Sequence, residues 1–173
     1  LSSADAWSCM NAFFLQVFFD FSGYTDIGRG SALILGYKVP ENFNLPFLSA
    51  SPTEFWRRWH ISLSTWLRDY LFIPMGGSRT TEWILCRNLF ITMALGGLWH
   101  GAAWHFMVWG GIHGVALIIA RKWASICKGN ETLSRWRPTP LWHWSGIAYT
   151  ILFVQMSDVV FRGDNLGDAW TFF

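Results

Sequence analysis

The sequence has 173 residues, of which 52% are hydrophobic, 18% aromatic and only 14% charged. Soluble domains carry about 25% charged residues, so this composition argues against an ordinary water-soluble domain and favours contact with lipid. The net charge of +2 comes from basic residues that are interleaved with apolar segments, which is not the basic stripe typical of nucleic-acid binding.

The three cysteines are scattered, with no C-x-x-C pair, so neither a disulfide framework nor a zinc site is expected. The chain begins at Leu1 rather than Met, and no targeting peptide is visible. We therefore expect residues 1–173 to form a single membrane domain that is a C-terminal-side fragment of a longer protein.

The N-terminal segment combines apolar and irregular stretches. Residues 9–21 are apolar but too short to cross a membrane alone, since a spanning helix needs about 20 residues. They are either the end of a span or part of a helix bundle. A polar stretch (21–30) and a short helical stretch (31–37) follow, and two prolines and two asparagines in residues 39–51 predict an irregular loop.

Residues 52–72 are predicted to form one amphipathic helix. The run S-P-T-E from Ser51 is a strong helix start, and the proline and glycines after Ile73 are expected to end the helix. One face carries Trp56, Trp59, Leu63, Trp66, Leu67, Tyr70 and Leu71. The opposite face carries Arg57, Arg58, Ser62, Thr65, Arg68 and Asp69. Such a helix suits the boundary between membrane and water.

Residues 83–120 contain a single Asp, Glu, Lys or Arg residue, Arg87, and basic segments flank them on both sides. Excess Lys and Arg mark the cytoplasmic side, so this segment is expected to cross the membrane twice or to enter and return. Glycines 96, 97 and 101 lie near its midpoint and predict a helix break there, which membrane proteins tolerate where the backbone is buried in protein or lines a cavity.

The C-terminal part is predicted to contain a basic loop (residues 123–140) and another span (141–156). The tail beyond this span is acidic, because Asp158, Asp164 and Asp168 are opposed by Arg162 alone. The span is therefore expected to run from the cytoplasmic side outward.

Of the five histidines, His100 is the best candidate for chemistry. It lies in an apolar segment beside glycines, and an ionisable residue at membrane depth is a functional hypothesis by default. An imidazole exchanges protons near neutral pH. A structural histidine bonded to a carbonyl explains the position equally well, and for His60, on the apolar stripe, that structural interpretation is the better one.

Other site classes find little support. His100, His105 and His113 do not share one helical face, so a metal site is not expected. No metalloprotease, hydrolase or phosphate-loop motif occurs. The pairs Asp26 with Arg29 and Arg68 with Asp69 are expected to be structural ion pairs.

Three long segments carry a family resemblance. FDFSGYTDIGRGSALILGY, NFNLPFLSASPTEFWRRWHISLSTWLRDYLFIPMGG and NLFITMALGGLWHGAAWHFMVWGGIHG closely resemble membrane-bound O-acyltransferases of the alginate O-acetyltransferase type. Teichoic-acid D-alanyl transferases are similar but less close. Two departures are visible: the tail SDVVFRGDN differs from the aromatic-rich segment usual there, and the family's N-terminal helices are absent.

The resemblance implies an all-α, polytopic membrane fold. Its helices would form part of a ring around a tunnel, and they would include an amphipathic helix at the membrane interface and broken or re-entrant helices. The invariant histidine of the family matches His100 and its second conserved histidine matches His60, which makes both catalytic candidates. Substrate contacts are expected from Trp99 and Gly101 beside His100 and from a basic face that attracts donor phosphates, namely Arg57, Arg58 and Arg68. The excess of positive charge on the cytoplasmic side explains each of these arginines at least as well.

The function that the resemblance implies is O-acetyl transfer from a cytoplasmic thioester, acetyl-CoA or an acyl-carrier thioester, towards an extracytoplasmic polysaccharide such as alginate. The setting would be the bacterial inner membrane, with multiple spans and a periplasmic partner protein, and without nucleic acid, metal or bound cofactor. Two other interpretations stay open: a transporter or flippase-like component with an intramembrane histidine path, and a non-catalytic scaffold.

Overall fold

The computed structural model describes residues 2–163 and Gly167, and within them it contains helices and no β-strand. The predicted all-α class is therefore confirmed. The α-helices in these residues are α1 (Ser3–Ile34), α2 (Pro52–Arg58), α3 (Ile61–Leu67), α4 (Glu82–Leu98), α5 (Trp104–Gly129), α6 (Glu131–Trp136) and α7 (Pro140–Arg162). A 3-10 turn (Pro46–Leu48) precedes α2, and a π-helical turn (Arg68–Phe72) follows α3.

Helix α1 is continuous over 32 residues, so the polar stretch 21–30 does not separate two elements as expected. A capping box between Ser2 and Asp5 starts the helix. A Cβ added to any glycine of the polar stretch would have no atom within 4 Å, so packing does not require glycine there. Each of these glycines costs the helix only about 1 kcal/mol relative to alanine. The helix ends just before Gly36, whose φ of +83° favours glycine.

The prediction of one helix over residues 52–72 is wrong, because the chain breaks at Trp59 and His60. Helix α2 starts as predicted, with the Ser51 side chain accepting from the Glu54 N–H. His60 has a φ of 44° and a ψ of 55°, the left-handed conformation. The break is fixed from outside the helix: Asn42 accepts hydrogen bonds from the Ser62 N–H (3.1 Å) and hydroxyl (2.6 Å).

Helices α4 and α5 form an antiparallel hairpin that turns at residues 99–103, so the predicted break beside the glycines is confirmed. A Cβ on Gly97 would meet the carbonyl oxygen of Phe106, and one on Gly110 would meet that of Met93. The two backbones therefore touch. At the other end, Arg121 reaches Glu82 at 3.8 Å, which places the two basic flanks on the same side.

The C-terminal elements are more helical than predicted. Helix α5 continues to Gly129 and is followed by α6, which Asn130 caps, so residues 123–140 are not a simple loop. Of the residues that the structure describes, α7 alone is long and apolar enough to cross a membrane. The tail residues Asp164 and Asp168 lie outside the described part.

The core is small and much apolar surface is open. Phe14 of α1, Phe55 of α2 and Val154 of α7 pack together, each about 4% exposed. Many large apolar side chains are instead exposed, including Ile34 at 87% and Trp83 at 78%. Extensive exposed apolar surface marks contact with lipid or with other protein segments.

Candidate active site

His100 lies in the turn between α4 and α5, where its backbone N–H donates to the Gly97 carbonyl. The residue is exposed at the turn, but aromatic rings surround its imidazole. The centroid distances are 5.0 Å to Trp99, 5.4 Å to Trp109, 5.0 Å to Phe161 and 6.2 Å to Phe106. The surrounding rings restrict the orientation of the imidazole without making it inaccessible.

His60 lies close to His100, so the structure brings the two predicted catalytic histidines together. The ring of Trp99 lies 5.6 Å from that of His60 and 5.0 Å from that of His100. Phe21 of α1 packs edge-on against His60 at 4.6 Å, and His60 is only 8% exposed. A left-handed conformation at a non-glycine residue costs on the order of 1–3 kcal/mol, and such strain clusters at functional sites.

Burial keeps the imidazole of His60 neutral near pH 7. Burial, and secondly the charge that His100 would carry, lower the pKa of His60 from 6.5 to about 4. A neutral imidazole has a free lone pair that can accept a proton.

The pKa of His60 predicts a loss of stability in acid. Between pH 6.5 and about 4, the unfolded chain binds a proton at His60 that the folded chain does not. The free energy of unfolding therefore decreases as the pH is lowered through this window, and above pH 6.5 it does not depend on the titration of His60. We expect a loss of roughly 3 kcal/mol by pH 4, measured by thermal unfolding of the full-length protein. His60→Asn is the control, because asparagine tolerates the left-handed conformation and does not titrate. Equal pH dependence in both proteins would contradict the assignment.

The three predicted substrate-binding arginines have different surroundings. Arg57 and Arg68 line a cavity of about 1950 Å³ between α2, α3, α4, α5 and α7. Arg58 instead pairs with Glu54 at 2.8 Å and donates to the Asn44 carbonyl at 3.2 Å, which holds the loop 39–51 against α2. Arg68 also pairs with Asp69, as expected, and Asp26 pairs with Arg29.

The cavity is basic. Its cationic lining consists of Arg57, Arg68, Arg121, Lys122, Lys128 and Arg137. Two acidic residues also line it, Glu54 and Glu82, and both are paired with arginines. The wall includes Ile61, which directly follows His60 in the chain, but neither His60 nor His100 lines the cavity. The arrangement suits a ligand with an anionic group.

Gly101 has a packing role in the structure. A Cβ at this position would lie 2.6 Å from the ring of Phe106, so the glycine lets that ring fold over the turn. Trp99, by contrast, is 60% exposed and stands beside both histidines. Of these two predicted substrate contacts, Trp99 has an exposed side chain that could touch a ligand, whereas Gly101 serves packing.

Several residues around His100 were not singled out from the sequence. Trp109 and Phe161 contact its ring although they come from α5 and α7. The indole N–H of Trp109 is buried; the carboxyl of Asp158 lies near it but outside hydrogen-bonding geometry. The spacing Gly110-x-x-x-Gly114 is a sequence signal for close helix packing that would have placed Trp109 next to α4.

The site contains no evident metal ligand set: within the described part of the chain, no three His, Cys, Asp or Glu side chains are grouped to hold a metal ion. The described residues form helices with large open apolar faces, and two histidines lie beside one tryptophan. These features are typical of a membrane-type protein. That class agrees with comparisons to known proteins.

The membrane-bound O-acyltransferase family matches residues 4–157. A probable alginate O-acetylase of Azotobacter vinelandii is 48% identical over 98% of this chain, and a peptidoglycan O-acetyltransferase of Helicobacter pylori is 40% identical over 98%. A teichoic acid D-alanyltransferase of Bacillus subtilis is 36% identical over 89%. The chain belongs to the membrane-bound O-acyltransferase family, so the resemblance seen in the motifs is confirmed. It spans 32%, 31% and 40% of these relatives' lengths.

Proposed function

We propose that the full-length protein is a multi-pass O-acetyltransferase of the bacterial inner membrane. It moves an acetyl group from a cytoplasmic thioester towards an extracytoplasmic polysaccharide hydroxyl. The observation that carries the proposal is the placement of His60 and His100 beside the same tryptophan, Trp99. Alginate is the favoured acceptor, since the relatives at 46–48% identity are named as alginate O-acetylases.

The proposed chemistry needs one proton acceptor. His100 takes the proton from the acceptor hydroxyl as its oxygen attacks the thioester carbonyl carbon. The tetrahedral intermediate expels the thiolate, and the histidine returns the proton to that sulfur. A positioned acid–base group of this kind contributes about 10²- to 10⁴-fold to the rate. His60 also lies beside Trp99.

The basic cavity is the proposed entry for the donor. A thioester carried on coenzyme A or on a phosphopantetheine arm brings phosphate to the cytoplasmic side, where arginine and lysine bind it by charge-assisted hydrogen bonds. The Arg121–Glu82 contact brings the basic flanks of α4 and α5 to one end of the hairpin, and we assign that end to the cytoplasmic side. The slender arm then extends along the wall from Arg57 to Ile61, both of which line the cavity.

The test uses the full-length protein in liposomes with an acetyl-labelled thioester and a polysaccharide acceptor. Acyl transfer releases one free thiol for each labelled ester formed, and the ester is cleaved by hydroxylamine. Label that accumulates inside the vesicles with the thioester intact would instead identify a transporter. No change of the donor under any condition, together with binding of a partner protein, would favour a scaffold.

The charge of the cavity predicts a change in donor affinity. Arg57→Glu is expected to raise the KM for the thioester donor about tenfold at nearly unchanged kcat, because it removes a phosphate contact and adds repulsion. The difference should shrink with added salt, since exposed charges are screened. Arg79→Glu is the matched control, because Arg79 is exposed and does not line the cavity. Equal KM values for the two variants would refute the donor site.

A further inference from the structure

His113 is a buried histidine that the proposed reaction does not use. It lies in the middle of α5 and is only 1% exposed. The indole N–H of Trp56 in α2 donates to its Nδ1 at 3.2 Å, and its Nε2 lies 2.9 Å from the Ser157 hydroxyl in α7. The Ser157 hydroxyl donates to the Val154 carbonyl at 2.7 Å.

These contacts fix the state of the imidazole. Nδ1 accepts from an indole, which is a donor only, so the proton of the neutral ring is on Nε2. Nε2–H then donates to the Ser157 oxygen, because the hydroxyl hydrogen is already used by the Val154 carbonyl. In this Trp56–His113–Ser157 link, every polar side-chain atom has a hydrogen-bond partner when the imidazole is neutral. A second proton on Nδ1 would face the indole N–H, so the link holds one charge state and one orientation.

The Trp56–His113–Ser157 link connects α2, α5 and α7, which are far apart in the chain. Each of these helices also leads to His60 or contacts His100. Trp56 and Ser157 are 57 and 44 residues from His113. Helix α2 leads directly to the break at His60. Helix α5 carries Trp109, whose ring lies 4.7 Å from that of His113. Helix α7 carries Phe161, one turn beyond Ser157, against His100.

We propose that His113 is a positioning residue for acyl transfer: through Trp56 and Ser157 it fixes the placement of α2, α5 and α7, and thereby the orientation of His100 relative to His60. The inference rests on the proposed function, since it needs His100 to be the proton acceptor. It assigns His113 no contact with substrate. Misplacement of a reacting group by about 1 Å costs on the order of 100-fold in rate.

The test compares two replacements of His113 in the full-length protein. Phenylalanine keeps a ring but removes both hydrogen bonds, whereas glutamine keeps an acceptor for Trp56 and a donor for Ser157. We expect His113→Phe to lower kcat about 10- to 100-fold at unchanged donor KM, and His113→Gln to retain at least a third of the wild-type kcat. The pH profile of the remaining activity should match that of the wild type, because His113 does not exchange a proton with substrate.

Trp56→Phe is a milder probe in case His113→Phe does not fold, because it removes a single N–H and keeps an aromatic ring. It should lower kcat several-fold per folded molecule, with the folded fraction measured by thermal unfolding. The inference is overturned if Trp56→Phe and the folded His113 variants keep the wild-type kcat, if glutamine restores nothing, or if the pH profile shifts. A wild-type rate in His100→Ala would instead refute the proposed function itself.

Discussion

Replacement of His100 by alanine in the full-length protein is expected to lower the rate of acyl transfer about 100- to 10,000-fold, the usual contribution of a positioned general base. The loss should fall on kcat, with the donor KM little changed, because the proposed donor cavity is lined by other residues. The measurement is the formation of hydroxylamine-sensitive ester from a labelled thioester, at equal amounts of folded protein.

His105→Ala is the matched control for this change. His105 lies at the start of α5, five residues after His100, and its ring packs on Phe106 at 4.1 Å. It contributes nothing to the proposed proton transfer, so this variant should keep a rate within about twofold of the wild type, as is usual for contacts away from the reacting atoms. Equal losses in the two variants, at equal amounts of folded protein, would remove the assignment of His100.

The hairpin turn at His100 was predicted at the right place because glycines 96, 97 and 101 lie beside it in the sequence. In the structure Gly97 and Gly101 serve packing instead: Gly97 lets the backbones of α4 and α5 touch, and Gly101 makes room for the Phe106 ring. The start of α2 was predictable for a local reason, since Ser51 and Glu54 lie within one turn of each other. Signals of this kind act over three or four residues and can be read directly.

The break at His60 was not predictable in the same way. The apolar periodicity continues across it without interruption, and the hydrogen bonds that hold the break come from Asn42, which is 20 residues from Ser62. Because the loop 39–51 folds back onto the helix, tertiary contacts override a strong local pattern. The same limit applies to His113, whose role depends on partners in α2 and α7.

Helix α1 shows the opposite error. The polar stretch 21–30 with three glycines suggested an interruption, but a few glycines cost only about 1 kcal/mol each and no proline is present. Side chains inside the helix also bond to its own backbone: Thr25 donates to the Ser22 carbonyl and Ser31 to that of Ile27. The polar residues are thus accommodated without ending the helix.

Gly110→Ala is expected to destabilise the protein by about 3 kcal/mol or to prevent its folding, the upper range for overpacking. The added methyl would meet the Met93 carbonyl oxygen and lie 3.1 Å from the Ala94 Cα, and these backbone atoms cannot rotate away. Helices α4 and α5 would have to separate. The measurement is the thermal midpoint of the full-length protein in detergent.

Two other glycines provide graded controls for this clash. At Gly111 the nearest atoms belong to the Phe90 side chain at 3.2 Å, which can shift, so Gly111→Ala should lower the midpoint only slightly. At Gly28 nothing lies within 4 Å, so alanine should gain up to about 1 kcal/mol from its higher helix propensity. If all three variants unfold at the same temperature, the close packing of α4 on α5 is wrong. The packing of α4 on α5 sets the turn that carries His100. Midpoints that are lowest for Gly110→Ala, slightly lowered for Gly111→Ala and raised for Gly28→Ala would therefore support the geometry on which the proposed chemistry depends.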